Sequence, residues 1–499
     1  METQQIGEQT IPTQNSNETP EQTPEQTPGQ APSTFVQSAP IPQDTGNIQF
    51  QSNLPTEEEV AKIKHKIRTL VWVLIIVSLV IIIVGAIYIY MIGMGRISIT
   101  KTNNKISLTM WGISQPGSSY TSLISQFEKQ NPNVSINYVQ IPDQYYESFL
   151  VNKLKSGVSL PDIVTIGNTY LPLVKNYLYP APSSIYNMSN FQNEFYSTAT
   201  QDLTLNNQIY AAPNSYDGLA LLYNKTEFQS AGLTAPSSNF NTFVSEIPKL
   251  VVQNSSGQVT QAAIDIGSNT SNVYNASNIL TLFMLMSGTK MTSQNQVTFA
   301  NGVNGADALN EYLQISKIDG WSSQFPSAIS AFANGTVAMV YAPYWQISNI
   351  LTINKNLNLG VMEPPQLPGQ TVNLSLYFAR AVPRGSLHPN TAWKFIKFLE
   401  QKQSLLSLAN TETKIENEPI ANVFPRADMA SLATTYNYMS AFVKMAPTSH
   451  SWLMGDYANV SGILDNVIEQ TITLKQAQSE VLKILVDIYN GTYKMPPQE

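Results

Sequence analysis

Trp111, Tyr344 and Trp345 are flat aromatic groups set at or just past the ends of predicted strands. Aromatic faces of this kind stack on the C–H patches of neutral, hydroxyl-rich molecules, and a few placed polar groups then fix the orientation. Ser114 and Gln115 follow the first predicted strand, and Asn168 and Tyr170 follow the third. Their hydroxyls and amides are candidates to bond a ligand's hydroxyls. Other reactive groups are scarce. Cysteine is absent, which excludes disulfides, thiolate metal sites, thiol nucleophiles and a lipid-modified cysteine anchor. The three histidines are His65, His388 and His450, and none pairs with another at metal-ligand spacing. No phosphate loop or nucleophile elbow is visible. A glycosidase needs only two carboxylates, and Asp217 with Asp162 is a conceivable pair. Asp162 fits better as a cap on its strand. The expectation is therefore a binding protein with no catalytic residue, metal or cofactor.

The composition points the same way. Only 12% of the 499 residues are charged, and the net charge is −7. That charged share is about half the usual one. Asn, Gln, Ser, Thr and Tyr fill the difference, giving a surface suited to neutral polar ligands. The acidic balance argues against nucleic acid, which needs a basic stripe. Asn-x-Ser/Thr triplets include those at Asn224, Asn269, Asn275, Asn334, Asn373, Asn459 and Asn490. Outside a membrane they could accept glycans, although a chain rich in these residues also produces such triplets by chance.

The elements that must position these residues begin after an apolar run from Thr69 to Gly95. About 20 apolar residues suffice to cross a bilayer, and this run has about 27. Lys62, Lys64, Lys66 and Arg68 crowd its start, in a basic segment over 57–68, while Arg96, Lys101 and Lys105 are more widely spaced. The positive-inside bias places the N-terminus in the cytoplasm and the rest outside. Trp72, Tyr88 and Tyr90 suit the two interfaces. The run starts too late and extends too far for a cleaved leader. Residues 1–56 are rich in Thr, Gln, Pro and Glu, with Glu-Gln-Thr-Pro repeated at 21–24 and 25–28. Such a tail cannot bury enough apolar surface to order itself, so a disordered cytoplasmic tail is expected.

Beyond it, strands and helices alternate. Ile106 to Trp111, Val134 to Ile141 and Asp162 to Ile166 read as strands, with helices over 120–130 and 145–156 between them. Thr391 to Leu408 is an amphipathic helix whose Trp393, Phe395 and Phe398 should be core. The alternation predicts an α/β fold with a largely parallel sheet, and ligands collect at the carboxyl ends of such strands.

Several motifs then fall in one order. They are Ile106–Gly112, the Asn131-Pro132-Asn133 turn, Pro161-Asp162-Ile163, Pro213 to Lys225 with its Tyr-Asn-Lys ending, Phe332–Met339, and Ala392–Leu399. This order, over about 350 residues, resembles the extracellular solute-binding proteins of family 1, the maltose-binding-protein-like group that serves ABC importers. The chain departs from that pattern at its start, where an apolar helix replaces the usual leader or lipid-modified cysteine. The resemblance implies a two-lobed periplasmic-binding-protein-like (type II) α/β fold with a hinge. The lobes would span 104–215 with 364–412, and 216–363 with 413–490. Crossovers would lie near Ser215–Gly218 and Gly360–Pro365, with a return near Glu412–Glu418. It also implies a cleft ligand, expected to be an oligosaccharide, and ABC permease subunits as partners. Asp217 occupies the position of an acidic ligand-binding residue, with Tyr216 beside it. Tyr377 and Trp452 lie in segments where the family presents aromatics. A sensor or adhesin ectodomain on the same fold, or a carbohydrate-active enzyme, remain the other readings.

Overall fold

The computed structural model describes residues 56–93, 105–113, 115–142, 146–294, 296–369, 371–416 and 422–495. Residues 1–55, expected as a disordered tail, and Ser114 lie outside them. The chain divides into two units, Met1–Thr100 and Lys101–Glu499.

The first unit is one continuous helix, Glu57–Gly93. Glu57, Glu58 and Glu59 occupy its first turn, where carboxylates favour the positive end of the helix dipole. Leu70, Trp72 and Ile82 are more than half exposed, on different faces. Among the described residues it is the one helix long and apolar enough to cross a membrane. It includes all of the basic stretch and nearly all of the apolar run.

The second unit is built on two sheets. In the first, Ile106–Ile113 runs parallel to Val134–Ile141, in register from Ile106 opposite Val134 to Ile113 opposite Ile141. A parallel bridge from Met110 to Ile163 links this pair to Val164–Gly167. Phe378–Pro383 then inserts antiparallel, against Val164–Gly167 on one side and Ala211–Pro213 and Leu178–Tyr179 on the other. The second sheet has the order Leu359–Met362, Ala220–Asn224, Val337–Ala342, Val259–Ile264, Val252–Gln253. Val259–Ile264 and Val337–Ala342 are parallel, and Ala220–Asn224 is antiparallel to both of its neighbours. The sheets are thus less uniformly parallel than the alternation suggests. Ala220–Asn224 and Phe378–Pro383, the strands that arrive from the other sheet, run antiparallel to their neighbours, as does the short Val252–Gln253 beside Val259–Ile264.

Helices cover both sheets. Phe127 packs against Phe395 and Phe398 at 4.9 and 5.4 Å between ring centres, and Trp393 donates its indole N–H to the Tyr179 carbonyl at 3.1 Å. These aromatics of Pro389–Leu399 are core, as the 3.6-residue spacing requires. Burying each such side chain stabilises the fold by about 1.5–3 kcal/mol. Beneath them Arg380 and Glu400 form an ion pair, both nearly inaccessible, and Arg380 also donates to the Tyr120 hydroxyl at 2.9 Å.

The chain leaves the first sheet after Pro213 and enters the second at Ala220. It returns between Met362 and Phe378. Between the sheets Gly218 bridges Ser375, and Asn373–Leu374 runs parallel to Ser449–His450. Gly360 pairs with Tyr223 inside the second sheet, so the return crossing begins after Met362 rather than at Gly360. Gly218 is required by close approach. A Cβ there would sit 2.4 Å from the Leu374 carbonyl oxygen.

Candidate ligand-binding cleft

Trp111 lies two residues before the end of the first strand, and its indole stacks on Phe149 with ring centres 5.3 Å apart and planes 25° apart. Trp111 is 9% exposed and Phe149 44%. The helix Tyr146–Ser156 turns Phe149 outward while burying Tyr146, Leu150 and Val151. Trp345 precedes the helix Gln346–Ile353 and is 46% exposed. Trp345 is the accessible aromatic among the candidates, while Trp111 is buried and Phe149, stacked on it, carries the exposed face.

Asp217 sits in the first crossing. Its Oδ1 accepts the N–H groups of Gly218 and Tyr344, each at 2.8 Å. Burial pushes its carboxyl up to about 7, against the pull of the Tyr344, Gly218 and Trp345 N–H groups. The carboxylate therefore ties the crossing to the turn that carries Trp345. Tyr344 is itself buried, edge-on to Phe442, and its hydroxyl donates to the Asn437 carbonyl at 3.2 Å. Tyr216 is buried beside Tyr196 and bonds the Ser449 hydroxyl. Its backbone N–H goes to the Val423 carbonyl at 3.0 Å.

Gln115 is fixed from several sides. Its Nε2 donates to Glu412 at 3.0 Å, its Oε1 accepts from Tyr120, and its carbonyl accepts from Tyr138 at 2.7 Å. The other oxygen of Glu412 accepts from Asn422 at 2.8 Å. Asn214, Glu412 and Asn422 line a cavity of about 10 Å³, room for about one water. Sequence reasoning missed Phe149, Glu412 and Asn422. Their only sequence signal is their place beside segments already singled out.

Asn168 and Tyr377 are brought together at Asp202. Asn168 Nδ2 and the Tyr377 hydroxyl donate to the same Asp202 oxygen at 3.1 and 2.8 Å, and Ser451 donates to the other. Asn168 and Tyr377 also exchange bonds directly, the Tyr377 N–H reaching Asn168 Oδ1 at 3.1 Å. Burial holds the Asp202 carboxyl above the usual range. Tyr170 is buried with its ring over Gly167, and Trp452 is buried edge-on to Phe299. Asn168, Tyr170, Tyr377 and Trp452 are thus packed and largely committed to their neighbours. Asp162 is committed too, accepting from the Thr109 N–H at 2.9 Å and from the Ser386 hydroxyl. Among the described residues no group of His, Asp and Glu could hold a metal ion.

The two sides also meet away from the crossings. Glu147, in the helix beside Trp111, accepts the Tyr457 N–H at 3.1 Å at the start of Tyr457–Ile468. Lys155 donates to the Tyr493 carbonyl at 2.9 Å. Burial, and Asp456 next to it, push the Glu147 carboxyl up to about 8. The arrangement offers aromatic rings and neutral amides beside the crossings, and Asp162 and Asp217 are each held by backbone N–H groups of different segments.

The sequence profile of the family described as bacterial extracellular solute-binding protein matches residues 111–404. The "Multiple sugar-binding protein" of Streptococcus mutans is 21% identical over 327 residues, covering 62% of this chain and 73% of that one. A "Putative binding protein" of Brucella abortus is 24% identical over 124 residues, 25% of this chain and 30% of that one. The sugar-binding protein MalE of Xanthomonas citri superposes with a TM-score of 0.62 at 18% identity, over 77% of this chain and 98% of its own. An ABC transporter solute-binding protein of Thermotoga lettingae bound to α-D-tagatose gives 0.60 at 18%, over 77% and 99%. The chain belongs to the bacterial extracellular solute-binding proteins and has their two-lobed, mixed α/β fold.

Proposed function

We propose that this chain is a membrane-anchored solute receptor. Its two lobes, 104–215 with 364–412 and 216–363 with 413–490, close on a neutral polar ligand and present it to the permease of an ABC importer. The ligand class proposed is an oligosaccharide. The observation that carries this reading is the exposed Trp345 ring on the turn that Asp217 ties to the first crossing, together with Phe149, exposed over the buried Trp111. Sugar-binding relatives and the low surface charge support it. Trp111, Gln115, Trp345 and Ser114 are proposed to face the ligand. Asn168, Tyr170, Tyr216, Asp217, Tyr344, Tyr377 and Trp452 are proposed to shape the cleft behind them. The helix Glu57–Gly93 is the proposed anchor, with the tail in the cytoplasm.

Titration calorimetry of the full chain in detergent, against maltodextrins, manno-oligosaccharides and monosaccharides, tests the reading. Saturable binding of one sugar class without product formation is expected. Trp345→Ala should weaken it about tenfold or more, equivalent to about 1.4 kcal/mol. Unchanged affinity in a folded Trp345→Ala protein removes Trp345 from the site. Turnover of the sugar would replace the receptor with an enzyme.

A further inference from the structure

The Asn-x-Ser/Thr triplets are not equivalent once folded. Asn224 is buried at the start of a helix, its Oδ1 taken by the Thr226 N–H at 3.0 Å. Asn373 is fully buried in the return crossing, with Nδ2 on Thr448 at 2.9 Å and Oδ1 accepting from Gln366. Neither amide can meet a macromolecular enzyme without unfolding its surroundings.

Three others combine exposure with a particular local shape. Asn254-Ser255-Ser256 forms the tip between Val252–Gln253 and Val259–Ile264, and all three residues are exposed. Asn254 Oδ1 accepts the Ser256 N–H at 3.0 Å. In Asn269-Thr270-Ser271, the exposed Asn269 accepts both the N–H and the hydroxyl of Ser271, at 3.1 and 2.7 Å. In Asn187-Met188-Ser189, the exposed Asn187 accepts the Ser189 N–H at 2.9 Å. Each is a turn closed by the asparagine side chain on the residue two ahead. That residue is the serine the triplet rule demands, so the turn supplies a physical reason for the rule. A hydrogen bond into Oδ1 draws electron density from the amide and makes an Nδ2 proton easier to lose. At Asn254 the Nδ2 also donates to the exposed Gln258 side chain at 3.4 Å.

We propose that Asn187, Asn254 and Asn269 are sites of N-linked glycan attachment, an inference that rests on the second unit lying outside the membrane. The donor class is an oligosaccharide activated as a lipid-linked diphosphate, and the catalyst a membrane transferase. Nδ2 attacks C1 of the sugar and the C1–Nδ2 bond forms. The C1–O bond to the diphosphate breaks, the lipid diphosphate leaves with that electron pair, and one Nδ2 proton passes to base. No oxidant or reductant is involved. All three asparagines are exposed, and none contributes a side chain to the candidate cleft residues described above.

The test is peptide mass mapping of the full chain taken from its native membranes, beside Asn187→Gln, Asn254→Gln and Asn269→Gln. Peptides holding these residues should carry a hexose-containing mass increment that each substitution abolishes. Peptides holding Asn224 and Asn373 should appear at bare mass. Topology is read separately. Lys290 is exposed and the chain has no cysteine, so Lys290→Cys gives a single target for a membrane-impermeant maleimide on intact cells. Labelling on intact cells with all three peptides bare overturns the glycan sites and leaves the receptor reading standing. Labelling only after permeabilisation overturns the outside placement and the glycan sites with it. Modification of Asn224 or Asn373 overturns the argument from folded geometry.

Discussion

Asp217 shows how much one carboxylate can organise. Its oxygens hold backbone N–H groups from its own crossing and from a turn more than a hundred residues away. Removing it leaves those donors buried and unpaired, at about 1–3 kcal/mol. Asp217→Ala should therefore lower stability by about that much in urea unfolding and weaken ligand binding through the Trp345 turn. Asp217→Asn keeps an acceptor oxygen and should restore most of the loss. Its carboxyl is raised from about 3.9 in an unfolded chain to about 7. A raised carboxyl contributes stability that is fully present below about pH 4 and is lost as pH rises through 7. Asp217→Asn should flatten that part of the pH profile. An Asp217→Asn protein with the wild-type profile between pH 4 and 7 would show that the group does not titrate there. The position of Asp217 is legible in the sequence through the Pro213 to Lys225 motif. Its bond to Tyr344 is not, because no local spacing encodes a contact made only when two sheets assemble.

Elements were legible in proportion to how local their causes are. Alternation of apolar residues marks Ile106 to Trp111 and Val134 to Ile141, and helical spacing marks Thr391 to Leu408, which the structure divides between Pro389–Leu399 and Lys402–Glu416. Pairing is another matter. Phe378–Pro383 takes partners from three separate stretches far earlier in the chain, and nothing in its own six residues announces an antiparallel fit. The return crossing at Asn373–Leu374 is only two residues of strand, too short to leave a period. Its tight passage past Gly218 nevertheless makes a sharp prediction. Gly218→Ala places a methyl against the Leu374 carbonyl. The backbones must part, and the unfolding midpoint should fall by an amount equivalent to about 1–3 kcal/mol. Gly462→Ala is the control, since its added methyl meets nothing within 4 Å and its φ is not positive. Equal losses in the two variants would show that the crossing is not tight.

Across the whole molecule the buried acids lean one way. Burial raises Asp217 to about 7, Asp319 and Glu147 to about 8, and Asp465 to about 6, and it raises Asp202 and Asp265 as well. Asp428, drawn down by Arg426, opposes them. Every raised group favours the folded state most when protonated, so stability should be greatest near pH 4 and decline as pH rises towards 8. Thermal unfolding of the full chain across pH 4–8 should show a falling Tm. A rising Tm over that range would mean these carboxyls are not buried as described. The charged share of the chain foretells a quiet surface, but it cannot tell which few carboxylates are sealed inside.

The unbroken helix from Glu57 to Gly93 is about 55 Å long, well beyond the roughly 30 Å of a bilayer's hydrocarbon. Insertion of such a helix is effectively irreversible, unlike attachment by one acyl chain. On the proposed anchoring, the receptor is never diluted by the medium around its cell. Its encounters with a permease scale with membrane area rather than with volume. The number of receptors per transporter is then fixed by synthesis alone, and washing or flow changes the supply of ligand without changing the supply of binding sites.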